Sequence, residues 1–237
     1  MKPEAIRIFV RKELEHQIHK VRSDKSFPIT FEKRFGRQND KYLVGLKIWK
    51  TPKTIGYGSR LHNRNCKLKD CKCPLDKQVF VADFDDTSLP ELFRKFTHLA
   101  DKFKVPFFFF QTREDGKHFH CVSPAIFTML EFLEIGMSAG VARKNLGFGL
   151  STGHFVLRFV PKDERKFQIQ YVGCVYPKRL TKTRNFSKTH LAFWQKIYEF
   201  PLEDLEPLYT KTYPLQMVSG ALLLDNYFAS NFIRGKK

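Results

Sequence analysis

From residue 78 onward, apolar and polar positions alternate in patterns that resolve into elements. Gln78–Asp83 (QVFVAD) is an apolar, β-branched run of strand length. Ser88 stands three residues before Glu91, a capping-box spacing, and Pro90 sits acceptably in a first helical turn. Apolar residues at 89, 92, 93, 96, 99, 100 and 103 then trace one helical face, and Pro106 ends that helix. Phe107–Gln111 (FFFFQ) predicts a buried strand, Asp115-Gly116 a tight turn, and His118–Ser123 (HFHCVS) the returning strand of a hairpin. A helix is expected over 125–135. Phe155–Val160 and Phe167–Val175 read as strands around the turn PKDERK, and 189–200 as a short helix. Upstream the pattern weakens. A helix is expected near 3–22, and 51–77, rich in Gly, Pro, Asn and Lys, reads as a loop or small knuckle. The whole predicts an α+β fold with helices packed on a largely antiparallel sheet.

Composition adds a core and a partner class. Of 237 residues, 42% are apolar and 25 are Phe, which argues against a disordered chain. The net charge of +18 points to a polyanion: nucleic acid, nucleotide or an acidic membrane surface. That charge is uneven. Residues 1–77 hold 20 basic against 8 acidic residues, 78–135 hold 6 against 9, and 136–237 hold 16 against 7. An acidic island between basic flanks suits carboxylates that hold cations and flanks that hold phosphates. No apolar run is long enough for a transmembrane span, and the N-terminus lacks the apolar core of a secretory signal. Five Cys, an odd number in a chain this long, do not suggest a disulfide scaffold, so an intracellular, reducing setting and no membrane partner are expected.

The candidate chemistry sits on the patterned elements. Asp83 and Asp85 are two apart on one strand and share a face, where they would repel unless a cation lies between them; Mg²⁺ or Mn²⁺ suits such a pair. His118 and His120 share a face in the same way, and the hairpin can bring His118 beside the acidic pair. Arg158, on an apolar strand with Lys162 at its end, needs an anion for its head, and a nucleoside triphosphate would serve. His62, Cys66, Cys71 and Cys73 fall within twelve residues, a cluster that suits a structural Zn²⁺ or else free thiols in a lysine-rich loop. Residues 178–190 carry Lys178, Arg179, Lys182, Arg184 and Lys188 with no acid, as a surface tracking a nucleic-acid backbone would.

The run VFVADFDD, an amphipathic helix, FFFFQTREDGKHFHCVSP and then GHFVLRFVPK resembles the catalytic module of the archaeo-eukaryotic primase superfamily, in particular the primase-polymerases of plasmids and viruses. The resemblance spans about residues 78–162. It implies an RRM/ferredoxin-like, primase-polymerase type of sheet and template-directed nucleotide addition with two divalent cations. Asp83 and Asp85 match the family's acidic strand, and Gly116-Lys117-His118 matches its second motif. On this resemblance His118, Lys117, His120, Arg158 and Lys162 face the nucleotide. The implied partners are a single-stranded DNA template, nucleoside triphosphates and a separate helicase. Residues 1–77 would then be a basic N-terminal part, 78–175 the catalytic sheet core, and 176–237 a basic C-terminal extension; a zinc knuckle at 62–73 is the reading of the His/Cys spacing alone. The family's third motif supplies another carboxylate on a later strand. Here that strand, KFQIQYVGCV, has none, and Asp225, at the end of ALLLD, is the candidate.

Two other readings compete. His118-Phe119-His120 is the metal motif of His-hydrophobic-His replication-initiator endonucleases, which attack DNA with a Tyr that begins a Tyr-x-x-Lys run. None of the eight Tyr here begins one. A non-catalytic nucleic-acid-binding module would use the Phe-rich strands as stacking surfaces, but leaves the convergent acids and histidines unexplained.

Overall fold

The computed structural model describes residues 31–35, 41–49, 54–66, 72–158, 169–178 and 185–198. In chain order the elements are β1 (Phe31–Phe35), β2 (Tyr42–Trp49), β3 (Thr54–Asn63), β4 (Gln78–Phe84), α1 (Leu89–Phe103), β5 (Phe107–Gln111) and β6 (Phe119–Phe127). They continue with α2 (Met129–Ala139), α3 (Arg143–Thr152), β7 (Val156–Arg158), β8 (Gln170–Val175) and α4 (Lys188–Tyr198). Seven strands lie in the order β1-β2-β3-β4-β6-β5-β8, and β7 pairs with β3. Every ladder is antiparallel, so the expected α+β class with an antiparallel sheet holds. Because β6 pairs antiparallel with both β4 and β5, those two strands run parallel, joined through α1 with β6 between them.

Helix α1 forms as its capping pattern predicts. The Ser88 side chain accepts from the Glu91 amide, and Lys104, with φ 57°, closes the other end in a left-handed turn. Its buried face is Leu92, Phe96, Leu99, Ala100 and Phe103. Phe96 meets the rings of Phe80, Phe84, Phe107 and Phe109 at centroid distances between 4.7 and 6.0 Å. The four Phe of β5 are all fully buried because the strand is covered on both faces. Phe107 and Phe109 pack on α1, while Phe110 stacks on Tyr198 of α4 at 4.0 Å. A helix therefore seals each side of the same strand.

Helix α4 starts beside the far end of β6. The Ile126 amide donates to the Asn185 carbonyl, and the Ser187 amide to the Pro124 carbonyl. The helix then runs back along the sheet. Its 11 residues rise about 16 Å. That matches the roughly 16 Å that five strand residues cover between Ala125 and His120, so Tyr198 arrives at His120.

Two expectations are corrected, and two further features were not anticipated. Residues 51–77 are not a loop throughout, since Thr54–Asn63 is a ten-residue strand that pairs with β2, β7 and β4. The helix expected over 125–135 begins at Met129, because β6 continues through Phe127 and Thr128 forms a capping box with Glu131. The strands on either side of PKDERK do not pair with each other. β7 joins β3 and β8 joins β5, at opposite parts of the sheet. Helix α3 was not anticipated, and the reason is its glycines. A methyl at Gly149 would lie 2.1 Å from the Phe155 ring, and that ring stacks on Phe132 at 3.8 Å. The close approach requires glycine and erases the apolar stripe by which a helix is read. The helix near 3–22 lies outside the described residues. No helix among the described residues is long and apolar enough to cross a membrane.

A buried polar network joins β3, β4 and the turn before β7. Ser59 and Gln78 are both fully buried. The Ser59 hydroxyl donates to Gln78 Oε1 at 2.6 Å and accepts from the Phe155 amide at 2.9 Å. Gln78 Nε2 donates to the carbonyls of Leu75 and Gly153. Gln78→Leu strands those groups in the core. A loss of about 1–3 kcal/mol is expected, read as a lower urea midpoint with unchanged slope.

Candidate active site and metal-binding group

Strand β4 delivers Asp83 and Asp85 to one face of the sheet, opposite the face that Phe80 and Phe84 turn toward α1. Asp86, with φ 53°, then breaks the strand. Asp residues tolerate this left-handed conformation better than most. The register pairs Asp83 directly with His120 of β6. His118, two residues earlier, lies just before the strand. The two loops at this end are tied together. The Thr87 amide donates to the Lys117 carbonyl at 3.2 Å, and the Thr112 amide to the His118 carbonyl at 2.9 Å.

His118 thereby comes within 2.5 Å of Asp85, Nδ1 to Oδ1. Its other nitrogen has two neighbours at 3.3 Å, Arg113 Nη1 and Asp115 Oδ2. A neutral ring would accept from Arg113 there, and a protonated ring would donate to Asp115. The His118 side chain is 12% exposed and Asp85 is 61% exposed, so the ring is held in place beneath an accessible carboxylate. Asp83 feels its surroundings most strongly. Desolvation first, and the Asp85 charge second, push its carboxyl from 3.8 up to about 6, with Arg158, His118 and Arg113 opposing. Asp83, whose proton affinity the Asp85 charge raises, forms with Asp85 a set of hard oxygen donors that a divalent cation would relieve.

His120 points inward and is 5% exposed. Burial, helped by Arg158, holds its pKa down at about 3, so the imidazole is neutral. Nδ1 lies 3.3 Å from the Tyr198 hydroxyl, which lies 2.9 Å from that of Tyr57. Nε2 faces Asp83 Oδ1 at 3.8 Å. A neutral ring that accepts from Tyr198 at Nδ1 carries its proton on Nε2, toward Asp83. Tyr57 and Tyr198 thus form the buried backing of the acidic pair.

The expected site residues divide in space. Asp83, Asp85, His118 and His120 are together, Lys117 is exposed in the adjoining turn, and exposed Arg158 acts electrostatically on Asp83 and His120. Lys178 follows the end of β8 that pairs with Phe107, the opposite end of β5 from the hairpin turn, and sits against Asp101. Lys188 opens α4, at the end of that helix away from Tyr198. Lys162, Arg179, Lys182, Arg184 and Asp225 lie outside the described residues. Arg113, Asp115, Tyr57 and Tyr198 were not anticipated as site residues. For the first two, the signal was their position five and three residues before His118 in the same turn.

A second group stands apart. His62, Cys66 and Cys73 bring potential ligand atoms within 4.8 Å of one another. Cys71, the expected fourth ligand, lies outside the described residues. Among the described residues the acidic pair does not gather with a histidine into a group that tight. In comparisons with known proteins, no family model matches the chain, and no curated protein or solved structure matches it either.

Proposed function

We propose that the chain is a nucleotidyltransferase of the primase-polymerase kind, adding nucleotides to a strand directed by single-stranded DNA in the replication of a plasmid, virus or other mobile element. The observation that carries this reading is the meeting of Asp83, Asp85 and His118 at one end of β4 and β6, with His118 2.5 Å from a carboxylate 33 residues away. The β4–α1–β5 crossover with β6 inserted is the connectivity of a split β-α-β unit, which supports an RRM/ferredoxin-like core. Asp83 and Asp85 would hold Mg²⁺ or Mn²⁺, which when bound activates a 3′ hydroxyl and neutralises charge on the transferring phosphoryl group. His118 is held against Asp85 through Nδ1, and a phosphate that took the place of Asp115 at Nε2 would accept a hydrogen bond there. Arg158 and Lys117, both exposed, add positive charge at the rim for the triphosphate. His120 lies beneath Asp83, with Nε2 3.8 Å from its Oδ1. The basic flanks, by sequence +12 over 1–77 and +9 over 136–237, suit a template.

The endonuclease reading needs His118 and His120 on one cation and an accessible Tyr. Here the two rings face different partners, and the tyrosine hydroxyl that meets His120 among the described residues, on Tyr198, is buried, shared with Tyr57 and raised well above its ordinary pKa. Those features favour the polymerase reading. It is tested by incubating the protein with single-stranded DNA, labelled nucleoside triphosphates and Mn²⁺, with and without a primer. Incorporation that disappears in Asp85→Ala is expected, and primer-free product identifies a primase. A covalent protein–DNA adduct or a nicked strand without incorporation overturns the reading in favour of the endonuclease.

A further inference from the structure

We propose that His62, Cys66 and Cys73 bind one structural Zn²⁺ that clamps the connection between β3 and β4. The donor chemistry comes first. An imidazole and two sulfurs suit Zn²⁺ and poorly suit the hard cations that favour carboxylate oxygens. His62 is 7% exposed and Cys73 5%, so the group is set into the protein rather than scattered over its surface.

Geometry comes second. His62 Nδ1 lies 3.7 Å from Cys66 Sγ. Tetrahedral zinc, with bonds of about 2.0–2.1 Å to nitrogen and 2.3 Å to sulfur, separates such a ligand pair by about 3.6 Å. The observed spacing is that of two ligands on one ion. The Asn63 amide donates to Cys73 Sγ at 3.1 Å, an outer bond of the kind that orients a metal-ligating side chain. Backbone bonds hold the frame. The Cys66 amide donates to the Asn63 carbonyl at 2.9 Å, and the Arg60 guanidinium donates to the Cys73 carbonyl.

The third argument is placement. Arg60 pairs with Gln78 at the start of β4, and the Leu61 amide donates to the Lys77 carbonyl at 3.0 Å. His62 is therefore beyond the start of β4, whereas Asp83 and Asp85 are at its other end, roughly 23 Å or more away along the strand direction. The group is too far off to touch chemistry at the acidic pair. What it can do is join the end of β3 to residue 73, just before β4 begins, across a stretch of sequence that is strongly basic (RNCKLKDCK). The ion's role is to hold the structure together, and the site does not depend on the proposed polymerase activity.

The test uses the full chain, purified without added chelator. Elemental analysis should give about one zinc per chain. Cys66→Ser and Cys73→Ser should each lose it, while Cys174→Ser, which changes a strand cysteine outside the group, should keep it. Because the first two variants can fail to fold, the wild-type protein is also stripped with a chelator and refilled with Co²⁺. A lower thermal midpoint on stripping, reversed by zinc, and a thiolate-to-cobalt charge-transfer band are expected. A metal-free protein whose thermal midpoint ignores both chelator and zinc, and which gives no sulfur-to-cobalt band, overturns the proposal. Zinc retained in both Cys66→Ser and Cys73→Ser overturns it as well, because the ion must then sit elsewhere.

Discussion

Replacing Asp85 with alanine, or Asp83 with asparagine, is expected to reduce nucleotide incorporation at least 10³-fold while DNA binding persists. The magnitude follows from the role. A metal ion contributes several kcal/mol to stabilising a phosphoryl-transfer transition state. A loss of about 4 kcal/mol corresponds to about 10³-fold in rate. DNA binding is predicted to survive because positive charge is carried by the flanks, not by the island that contains the pair. Asp83→Asn separates function from structure further, because its effect on stability has the opposite sign. In the folded chain Asp83 titrates at about 6 instead of 3.8, chiefly through desolvation and then through Asp85. The native state therefore keeps a proton that the unfolded chain has released. The stability this confers is fully present below about pH 4 and is lost as pH rises through about 6. The side chain is 41% exposed, so solvent screening limits the effect to about 1 kcal/mol or less. In metal-free buffer, then, the wild type should lose some stability between pH 4 and 7, and Asp83→Asn should lose less, read from urea midpoints across that range. An Asp83→Asn protein that is less stable than wild type at pH 7 in the absence of metal would mean that the carboxylate is a structural partner and not a strained ligand.

The parts of this site that could be read from the sequence are those whose signal is local. The spacing of Asp83 and Asp85 puts both on one face of any strand, and the Ser88 cap, the stripe on α1 and the Asp115-Gly116 turn each announce themselves within a few residues. Together they define a strand, a crossover and a hairpin. In that frame, bringing His118 to Asp85 needs only that β6 lie beside β4, as it does. The parts that could not be read depend on pairing at long range. Strand β3 reads TIGYGSRLHN, with Gly56 and Gly58 in a context that otherwise signals a turn. It is a strand because Gly56, Tyr57 and Gly58 pair with β7, a hundred residues later in the chain, and because β2 covers its other edge. Its glycines are tolerated where Tyr57, Ser59 and Leu61 supply the burial. Likewise, nothing near Tyr198 marks it as part of the site. Its partners, Tyr57 and His120, are 141 and 78 residues away. Local periodicity places His120 and Tyr198 on elements, leaves Tyr57 in an expected loop, and does not show that the three polar ends meet.

Removing Tyr198 should be among the most damaging changes to the fold, and comparing two substitutions apportions the damage. Tyr198 is 3% exposed, stacked on Phe110 at 4.0 Å and edge-on to Tyr57. Tyr198→Ala removes a large buried ring, at a cost of about 3–5 kcal/mol by analogy with other aromatic truncations. It also leaves the Tyr57 hydroxyl and His120 Nδ1 without this partner in the core, adding about 1–3 kcal/mol where no replacement reaches them. A chain of this size with a typical stability of about 5–15 kcal/mol would be left with little or none. Tyr198→Phe keeps the ring and loses only the hydroxyl, so about 1–3 kcal/mol is expected and the protein should remain folded. Its functional effect is the informative one. Without the hydroxyl, the bond that holds the His120 proton on Nε2 is lost, and with it the donor that faces Asp83. Incorporation by Tyr198→Phe should therefore fall further than its stability loss accounts for, with a raised Mn²⁺ requirement at saturating nucleotide. Full activity in a folded Tyr198→Phe protein, with an unchanged Mn²⁺ requirement, would show that α4 only covers the sheet and takes no part in arranging the carboxylates.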